Sequence, residues 1–209
     1  IERDGRVTAN IPAEIEKLEL KKILKSREDL IQRHLILKKD DLSREPLPKE
    51  YVPGEGFYYL GKRYRLKLLK KPKDSNEYLQ LKSGWFQLPS NMAKNGKKCF
   101  INWYTAKGRE WLKLNLPELE RRVPSFTSSY DVRDLGYQWG SCSGQGKLQL
   151  NWRAMMLPKQ HLEYVILHEL VHLEEPNHGP EFFKKLRKAS PFYDESEDWL
   201  KINGAKYNL

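Results

Sequence analysis

Two histidines flank a glutamate in the segment His168-Glu169-Leu170-Val171-His172, and another histidine, His178, follows six residues later. Side chains four residues apart on a helix point the same way, so His168 and His172 can bind one metal ion together. His178 can complete a three-ligand site. Glu169, beside the first ligand, is then placed to act on a water molecule activated by the metal instead of binding the metal. The pattern predicts a hydrolase with one Zn²⁺ ion.

The sequence around this motif predicts a helix followed by a reversal of the chain. Residues 161–173 contain neither glycine nor proline, and Pro158 precedes them. Pro176 and Asn177 favour a turn, so the chain can fold back and bring His178 towards the helix. Apolar residues recur at helical spacing, namely Leu162, Val165, Ile166, Leu170 and Leu173.

Two alternatives concern the ligands. Glu175 lies seven residues after His168 and would share its side of a continuing helix, which makes its carboxylate a competitor of His178 for the third position. The histidines could also make only hydrogen bonds on a half-buried helix face. Three of the chain's five histidines, however, fall between residues 168 and 178. Such a cluster beside a glutamate favours metal binding.

Several segments resemble the motifs of a known family. They are Trp139-Gly140-Ser141-Cys142-Ser143, Leu148-Gln149-Leu150-Asn151-Trp152, Pro158, His168–Leu173, Asn177–Phe182, Pro191 and Tyr193. In these segments the chain is similar to the YgjP-like metallopeptidases, relatives of the SprT-like and WLM proteases in the zincin group. The resemblance is specific over residues 130–193 and looser in Gly61–Leu66 and around Trp103. The chain has Gln138 where the family tends to have arginine.

The resemblance implies a zincin-like catalytic domain that cleaves a protein or peptide substrate. It also implies zinc bound by His168, His172 and His178, with Glu169 as the catalytic acid and base. These are the assignments that the spacing of the residues predicts independently.

The remaining pattern predicts an α+β protein with three regions that pack as one compact unit. Residues 1–45 predict a strand at 5–12 and amphipathic helices within 13–39. Residues 46–97 predict a small antiparallel sheet, after a loop at 40–56 that is rich in proline and glycine. Residues 98–209 form the predicted zincin-like core, which begins with a helix at 98–123 that could break near Pro117. The expected strands lie at 56–60, 62–70, 77–82 and 84–88.

A hairpin is predicted close to the metal-binding helix. Two runs typical of strands, 132–142 and 147–153, flank Ser143-Gly144-Gln145-Gly146. Zincins, as the resemblance implies, present a sheet edge beside the metal helix, along which an extended peptide can bind by strand addition. This hairpin is our candidate for that edge.

Three aromatic residues are candidates for contacts with the oxyanion or the substrate, namely Tyr193, Tyr137 and Trp139. Backbone amides of residues 139–143 are further candidates. Packing in the core is the alternative for Trp139 and Tyr193. Cys142 is a minor candidate for a fourth metal ligand, because an isolated cysteine lacks the usual paired spacing.

Composition indicates a folded protein: the chain has 209 residues, of which 39% are hydrophobic. No apolar run approaches the roughly 18 residues of a membrane span, and the first residues lack the layout of a signal peptide. Two cysteines, Cys99 and Cys142, cannot form a framework of disulfides. We therefore expect a cytoplasmic protein without a membrane partner. The chain starts at Ile1 and not at methionine, which is compatible with a preceding segment.

The net charge of +10 is unevenly distributed. Residues 1–160 hold 32 Lys and Arg against 19 Asp and Glu, whereas residues 161–209 hold 6 against 9. Such a basic part can attract nucleic acid or an acidic protein, although no nucleic-acid-binding motif is present and a solvated basic surface is the simpler interpretation. The alternative function is a nucleic-acid-associated binding protein with a structural zinc site. Glu169 argues against it, because a closed structural site has four protein ligands and needs no general base.

Overall fold

The computed structural model describes residues 17–26, 28, 48–70 and 78–209. The chain divides into two compact units, residues 1–46 and 47–209. In the first unit, helix α1 covers Lys17–Ser26, within the segment predicted to form amphipathic helices. The strand predicted at 5–12 and most of the predicted helical segment lie outside the described residues. The fold described below is that of the second unit.

The first sheet of the second unit has four strands: β1 (Gly56–Tyr59), β2 (Lys62–Leu69), β3 (Gln80–Lys82) and β4 (Trp85–Pro89). Their spatial order is β1-β2-β4-β3. The outer pairs are antiparallel as predicted, but β2 and β4 are parallel, so the sheet is mixed. The reason is that β3 lies at the far edge, which places β4 beside β2 in the same direction. The alternation of apolar and polar residues predicts which face of a strand is buried, but it does not predict which strand lies beside it in the sheet.

Helix α2 (Gly96–Glu120) packs under this sheet. The rings of Phe57 and Phe100 stack with centroids 4.0 Å apart, and those of Phe86 and Phe100 are 5.0 Å apart. The hydroxyl of the fully buried Tyr104 donates a hydrogen bond to the Tyr58 carbonyl oxygen, at 2.5 Å. The helix runs through Pro117 without the break that the sequence left open. Buried leucines continue on both sides of that proline, namely Leu112, Leu116 and Leu119.

The second sheet has three strands: β5 (Ser129–Arg133), β6 (Gly140–Cys142) and β7 (Lys147–Asn151), in the order β5-β7-β6. Strands β6 and β7 form the predicted hairpin, whose turn is closed by a bond from the Gly146 amide to the Ser143 carbonyl oxygen, at 2.8 Å. The predicted first run, 132–142, is in fact two strands, because a turn at Gly136 interrupts it. There the Asp134 carboxylate accepts a hydrogen bond from the Gly136 amide. Strand β6 is left at the sheet edge.

Three helices complete the unit: α3 (Lys159–Val171), α4 (Pro180–Ala189) and α5 (Tyr193–Asn203). Helix α3 carries the HExxH motif and lies between the second sheet and the other helices. The buried ring of His161 stacks on Trp199 with centroids 4.0 Å apart, and its Nδ1 lies 3.1 Å from the Ser196 hydroxyl. These contacts join α3 to α5. The predicted α+β fold class, with the motif helix beside a small sheet, is confirmed.

None of the described helices combines the length and the apolar character that a membrane span requires.

The turn between β1 and β2 meets the segment that leads into α3. The amides of Leu60 and Gly61 donate to the carbonyl oxygens of Met155 and Met156, at 2.9 and 3.1 Å. Gly61 has φ +78°, and a Cβ there would lie 2.8 Å from the Pro158 Cα. Because Pro158 immediately precedes α3, this contact connects the first sheet to the start of the motif helix.

We predict that Gly61→Ala destabilises the protein more than Gly84→Ala does. Both glycines have φ +78°, but nothing lies within 4 Å of a Cβ at Gly84. Gly84→Ala should therefore lower the free energy of unfolding by about 1–2 kcal/mol through backbone strain alone. Gly61→Ala should add about 1–3 kcal/mol, because its new Cβ meets the backbone of Pro158. Denaturant unfolding of both variants checks this, and equal losses would contradict it.

Candidate active site

The motif helix brings two histidine rings together. His168 lies in the last turn of α3 and His172 directly follows the helix, with its amide still directed at the His168 carbonyl oxygen. The two ring centroids are 4.9 Å apart. One ligand nitrogen from each of His168, His172 and His178 lies within 4.8 Å of the others. The structure therefore brings together the three histidines that the sequence predicts.

The chain reversal after α3 positions His178. Its Nε2 lies 3.0 Å from Nε2 of His168. Helix α4 begins two residues later, and its fully buried Phe182 packs against all three imidazoles, with ring centroids 5.0 Å from His168 and 4.6 Å from His172 and His178. Docking α4 thus fixes the rings. From sequence, Phe182 stands only at the end of a family-like segment and is not identified as the base of the histidine cluster.

Glu175, the predicted competitor for the third position, is engaged elsewhere. Its carboxylate accepts a hydrogen bond from Lys185 Nζ at 2.9 Å, and the same Nζ lies 2.9 Å from the Glu174 carboxylate. The backbone carbonyl oxygen of Glu175 lies 3.1 Å from Nδ1 of His172. Because a carbonyl oxygen can only accept, Nδ1 is the donor in this contact, and Nε2 is the nitrogen of His172 that can serve as a ligand. Glu175 thus contributes to the cluster by orienting His172.

Two of the three imidazoles are kept in the uncharged form that binds a metal ion. Burial, reinforced by the charges of His172 and His178, lowers the pKa of His168 to about 4. Burial and His172 also lower the pKa of His178, against a smaller opposing effect of Glu197. At neutral pH these two rings are uncharged, and neutral nitrogen donors are the form that Zn²⁺ binds. The donor set therefore fits a zinc ion, and Cys142 is not part of the cluster formed by described residues.

Glu169 points from the helix to the edge strand of the second sheet. Its carboxylate accepts a hydrogen bond from the backbone amide of Cys142. Burial raises the pKa of Glu169 to about 7, and this hydrogen bond acts in the opposite direction. A Cβ added to Gly140 would lie 2.8 Å from Glu169 Cγ and 3.2 Å from its Oε1. A glycine at position 140 therefore makes room for the Glu169 side chain.

A cavity of about 740 Å³ opens beside these residues. Its walls come from residues 138–144, from α3 and from Glu197, Leu200 and Lys201 of α5. Trp139 lies in this wall, whereas Tyr137 and Tyr193 are not lining residues. Tyr193 is buried and its hydroxyl accepts a hydrogen bond from Arg187 at 3.0 Å, and Tyr137 is half exposed. The predicted substrate contacts of these two tyrosines stay predictions.

Two cavity residues, Tyr164 and Glu197, were missed from sequence. Tyr164 lies one helical turn before His168, and their ring centroids are 5.9 Å apart. Burial, followed by the charges of Glu197 and Glu169, raises the pKa of Tyr164, so the hydroxyl keeps its proton. Glu197 forms an ion pair with Lys201 at 2.8 Å. The spacing of Tyr164 from His168 was a signal available in the sequence, whereas Glu197 enters the site only through the packing of α5.

Comparisons with known proteins identify the family of this chain. The family model described as "YgjP-like, metallopeptidase domain" matches residues 1–203. Among solved structures, the metallopeptidase zymogen abylysin of Pyrococcus abyssi matches with a TM-score of 0.42 and 19% identity, covering 47% of this chain and 99% of that chain. No curated protein matches the chain. Because the family model extends over nearly the whole sequence, the chain belongs to the YgjP-like metallopeptidase family.

Proposed function

We propose that this metallopeptidase hydrolyses peptide bonds with one zinc ion held by His168, His172 and His178, and with Glu169 as the general base. The observation that carries the proposal is the position of Glu169. Its partly buried carboxylate accepts a hydrogen bond from the Cys142 amide, in the wall of the cavity that also contains the three histidines. The described residues offer three metal ligands and no fourth, which suits an open catalytic site better than a closed structural one.

A zinc ion at the histidines would supply Lewis acidity, which polarises a peptide carbonyl and makes a nearby water molecule easier to deprotonate. Glu169 would accept a proton from that water and then donate it to the nitrogen of the departing amine. The Cys142 amide favours the charged form of this carboxylate, which is the form that accepts the proton. Tyr164 keeps its proton and lines the cavity, so we place it ahead of Tyr137 and Tyr193 as a hydrogen-bond donor to the substrate carbonyl.

The substrate is proposed to be an extended peptide that binds along β6. This strand pairs only with β7 in its sheet, and its residues line the cavity. Backbone groups on a free strand edge bind a peptide of any sequence by strand addition. Trp139, which immediately precedes this strand, would contact a substrate side chain. Both cysteines are free, which agrees with the reducing cytoplasm that we propose as the compartment.

We predict that Glu169→Gln retains zinc but loses cleavage. The substitution removes the proton acceptor and preserves the size of the side chain, so the rate should fall by about 10²- to 10⁴-fold. Metal analysis and cleavage of unfolded protein substrates check both halves. Glu163→Gln is the matched control, because Glu163 lies on the same helix and pairs with Lys159 outside the cavity. Loss of zinc from Glu169→Gln would identify Glu169 as a ligand and contradict the proposed role.

We predict that His178→Ala weakens zinc binding at least about 100-fold, since it removes a direct ligand and not merely an outer partner. Glu175→Gln should retain zinc, because the Glu175 carboxylate pairs with Lys185 and its contact with His172 comes from the backbone. Titration with a fluorescent zinc chelator measures both affinities. The opposite pattern, with zinc lost in Glu175→Gln and kept in His178→Ala, would replace His178 by Glu175 as the third ligand.

We predict that Gly140→Ala separates catalysis from metal binding. The new Cβ would push against Glu169 Cγ and displace the carboxylate, and displacements of this size cost about 100-fold in rate. The histidines are not touched, so zinc content should stay at the wild-type level. Gly144→Ala, in the same hairpin, is the control, because nothing lies within 4 Å of a Cβ there. Wild-type activity in Gly140→Ala would show that Glu169 does not depend on this glycine.

A further inference from the structure

The first sheet has one face packed on α2 and an opposite face that is exposed and basic. We call the latter the outer face. It is formed by side chains that alternate with the buried Leu66 and Phe86 along the strands. Its polar and exposed aromatic members are Arg63, Arg65 and Lys67 of β2, Trp85 and Gln87 of β4, and Gln80 and Lys82 of β3. Leu69 of β2 and Tyr58 of β1 share the face, and the Tyr58 ring packs on Tyr207.

Strand register arranges these side chains in rows. Arg65 pairs with Trp85, which pairs with Lys82, so the indole lies between two cations. In the next row, Lys67 pairs with Gln87 and Gln87 with Gln80. Neighbours in such rows have Cβ atoms about 5 Å apart, close enough to contact the same ligand.

Arg63 adds a further cation to the first row. Its guanidinium lies over Gly56, at the place where a Cβ would be. Gly56 pairs with Arg65 in the β1–β2 register. The side of Trp85 that faces β2 therefore has two guanidinium groups, and the other side has the Lys82 ammonium group.

The outer face is not neutralised within the described part of the chain. No carboxylate occupies an outer-face position, and none of its four cations forms an ion pair with a described residue. The neighbouring Glu55 is turned away, because its carboxylate accepts a hydrogen bond from the Tyr51 amide at 2.6 Å. Elsewhere on the surface, cations such as Arg109 and Lys201 are paired with carboxylates. Unpaired like charges this close attract a polyanion.

Trp85 indicates which polyanion fits. Its side chain is 40% exposed, and no described aromatic ring stacks on it. An exposed indole beside cations can stack with an unpaired base while the cations contact the flanking phosphates. A duplex keeps its bases stacked inside, and an acidic peptide has no planar ring in its repeating unit to match the indole. We propose that the outer face binds single-stranded nucleic acid, as a site separate from the catalytic cavity.

The test is fluorescence anisotropy of the full chain with a labelled 15-nucleotide oligo(dT) or oligo(U), at several salt concentrations. We expect Trp85→Ala to weaken binding about tenfold or more, and Trp85→Phe to retain most of it, because both rings can stack. Arg65→Glu with Lys82→Glu should weaken binding further and reduce the salt dependence by about two counterions. Peptide cleavage should be unchanged in all these variants, because no outer-face residue lines the cavity.

The matched control is Lys113→Glu with Lys188→Glu, which changes the net charge equally at two exposed lysines on α2 and α4. Circular dichroism and thermal unfolding establish that each variant is folded. Three outcomes would overturn the proposal: wild-type oligonucleotide binding by Trp85→Ala, equal losses in the two charge-reversal pairs, or preference for duplex DNA, heparin or polyglutamate over the single strand. The last outcome would assign the face to another polyanion. Loss of oligonucleotide binding leaves the proposed peptidase intact, so the two proposals fail separately.

Discussion

The hydrogen bond between the Glu169 carboxylate and the Cys142 amide is the interaction on which the site depends. A buried carboxylate is costly unless it is hydrogen bonded, and here the donor belongs to the backbone of the edge strand β6. This contact links helix α3 to the second sheet. It also requires a glycine at position 140, because any Cβ there would meet Glu169. The short hairpin thus serves two purposes: it forms a wall of the cavity, and it orients the proposed base.

The histidine cluster depends on a second packing event. His168 and His172 are positioned by one helix, but His178 belongs to the turn that follows and needs helix α4 to hold it. Phe182 does so by contacting all three rings, while Lys185 of the same helix pairs with Glu174 and Glu175. The turn is therefore held by an apolar contact with Phe182 and by the ion pairs of Lys185. The backbone of Glu175, stabilised in this way, orients His172.

The features that could be predicted from the sequence are those whose residues lie close together along the chain. His168, Glu169 and His172 share one helix, so local spacing was sufficient to group them. It left both His178 and Glu175 open as the third ligand, and only the docking of α4 places His178 beside the other two rings and pairs Glu175 with Lys185. The β6–β7 hairpin was likewise predictable from its glycine-containing turn. The parallel pairing of β2 with β4 could not be predicted, because the order of the strands depends on which strand takes the edge position, and alternation along a strand carries no information about that. Glu197 reaches the cavity only through the docking of α5, and no local pattern encodes that.

The structure shows where part of the uneven charge of the sequence lies. Basic residues such as Arg109 and Arg122 are paired with described carboxylates, whereas the four cations of the outer face form no ion pair with a described residue, and the cavity wall carries the acidic Glu197. Helix α2 connects these regions. Its Phe100 packs under the first sheet, and its Gly108 is so close to β5 that a Cβ would lie 3.0 Å from Val132. A helix packed this tightly against both sheets holds them as one rigid body, because close-packed interiors have low compressibility. A nucleic acid on the outer face would therefore act by bringing the peptidase to substrates bound to the same strand, and not by reshaping the cavity.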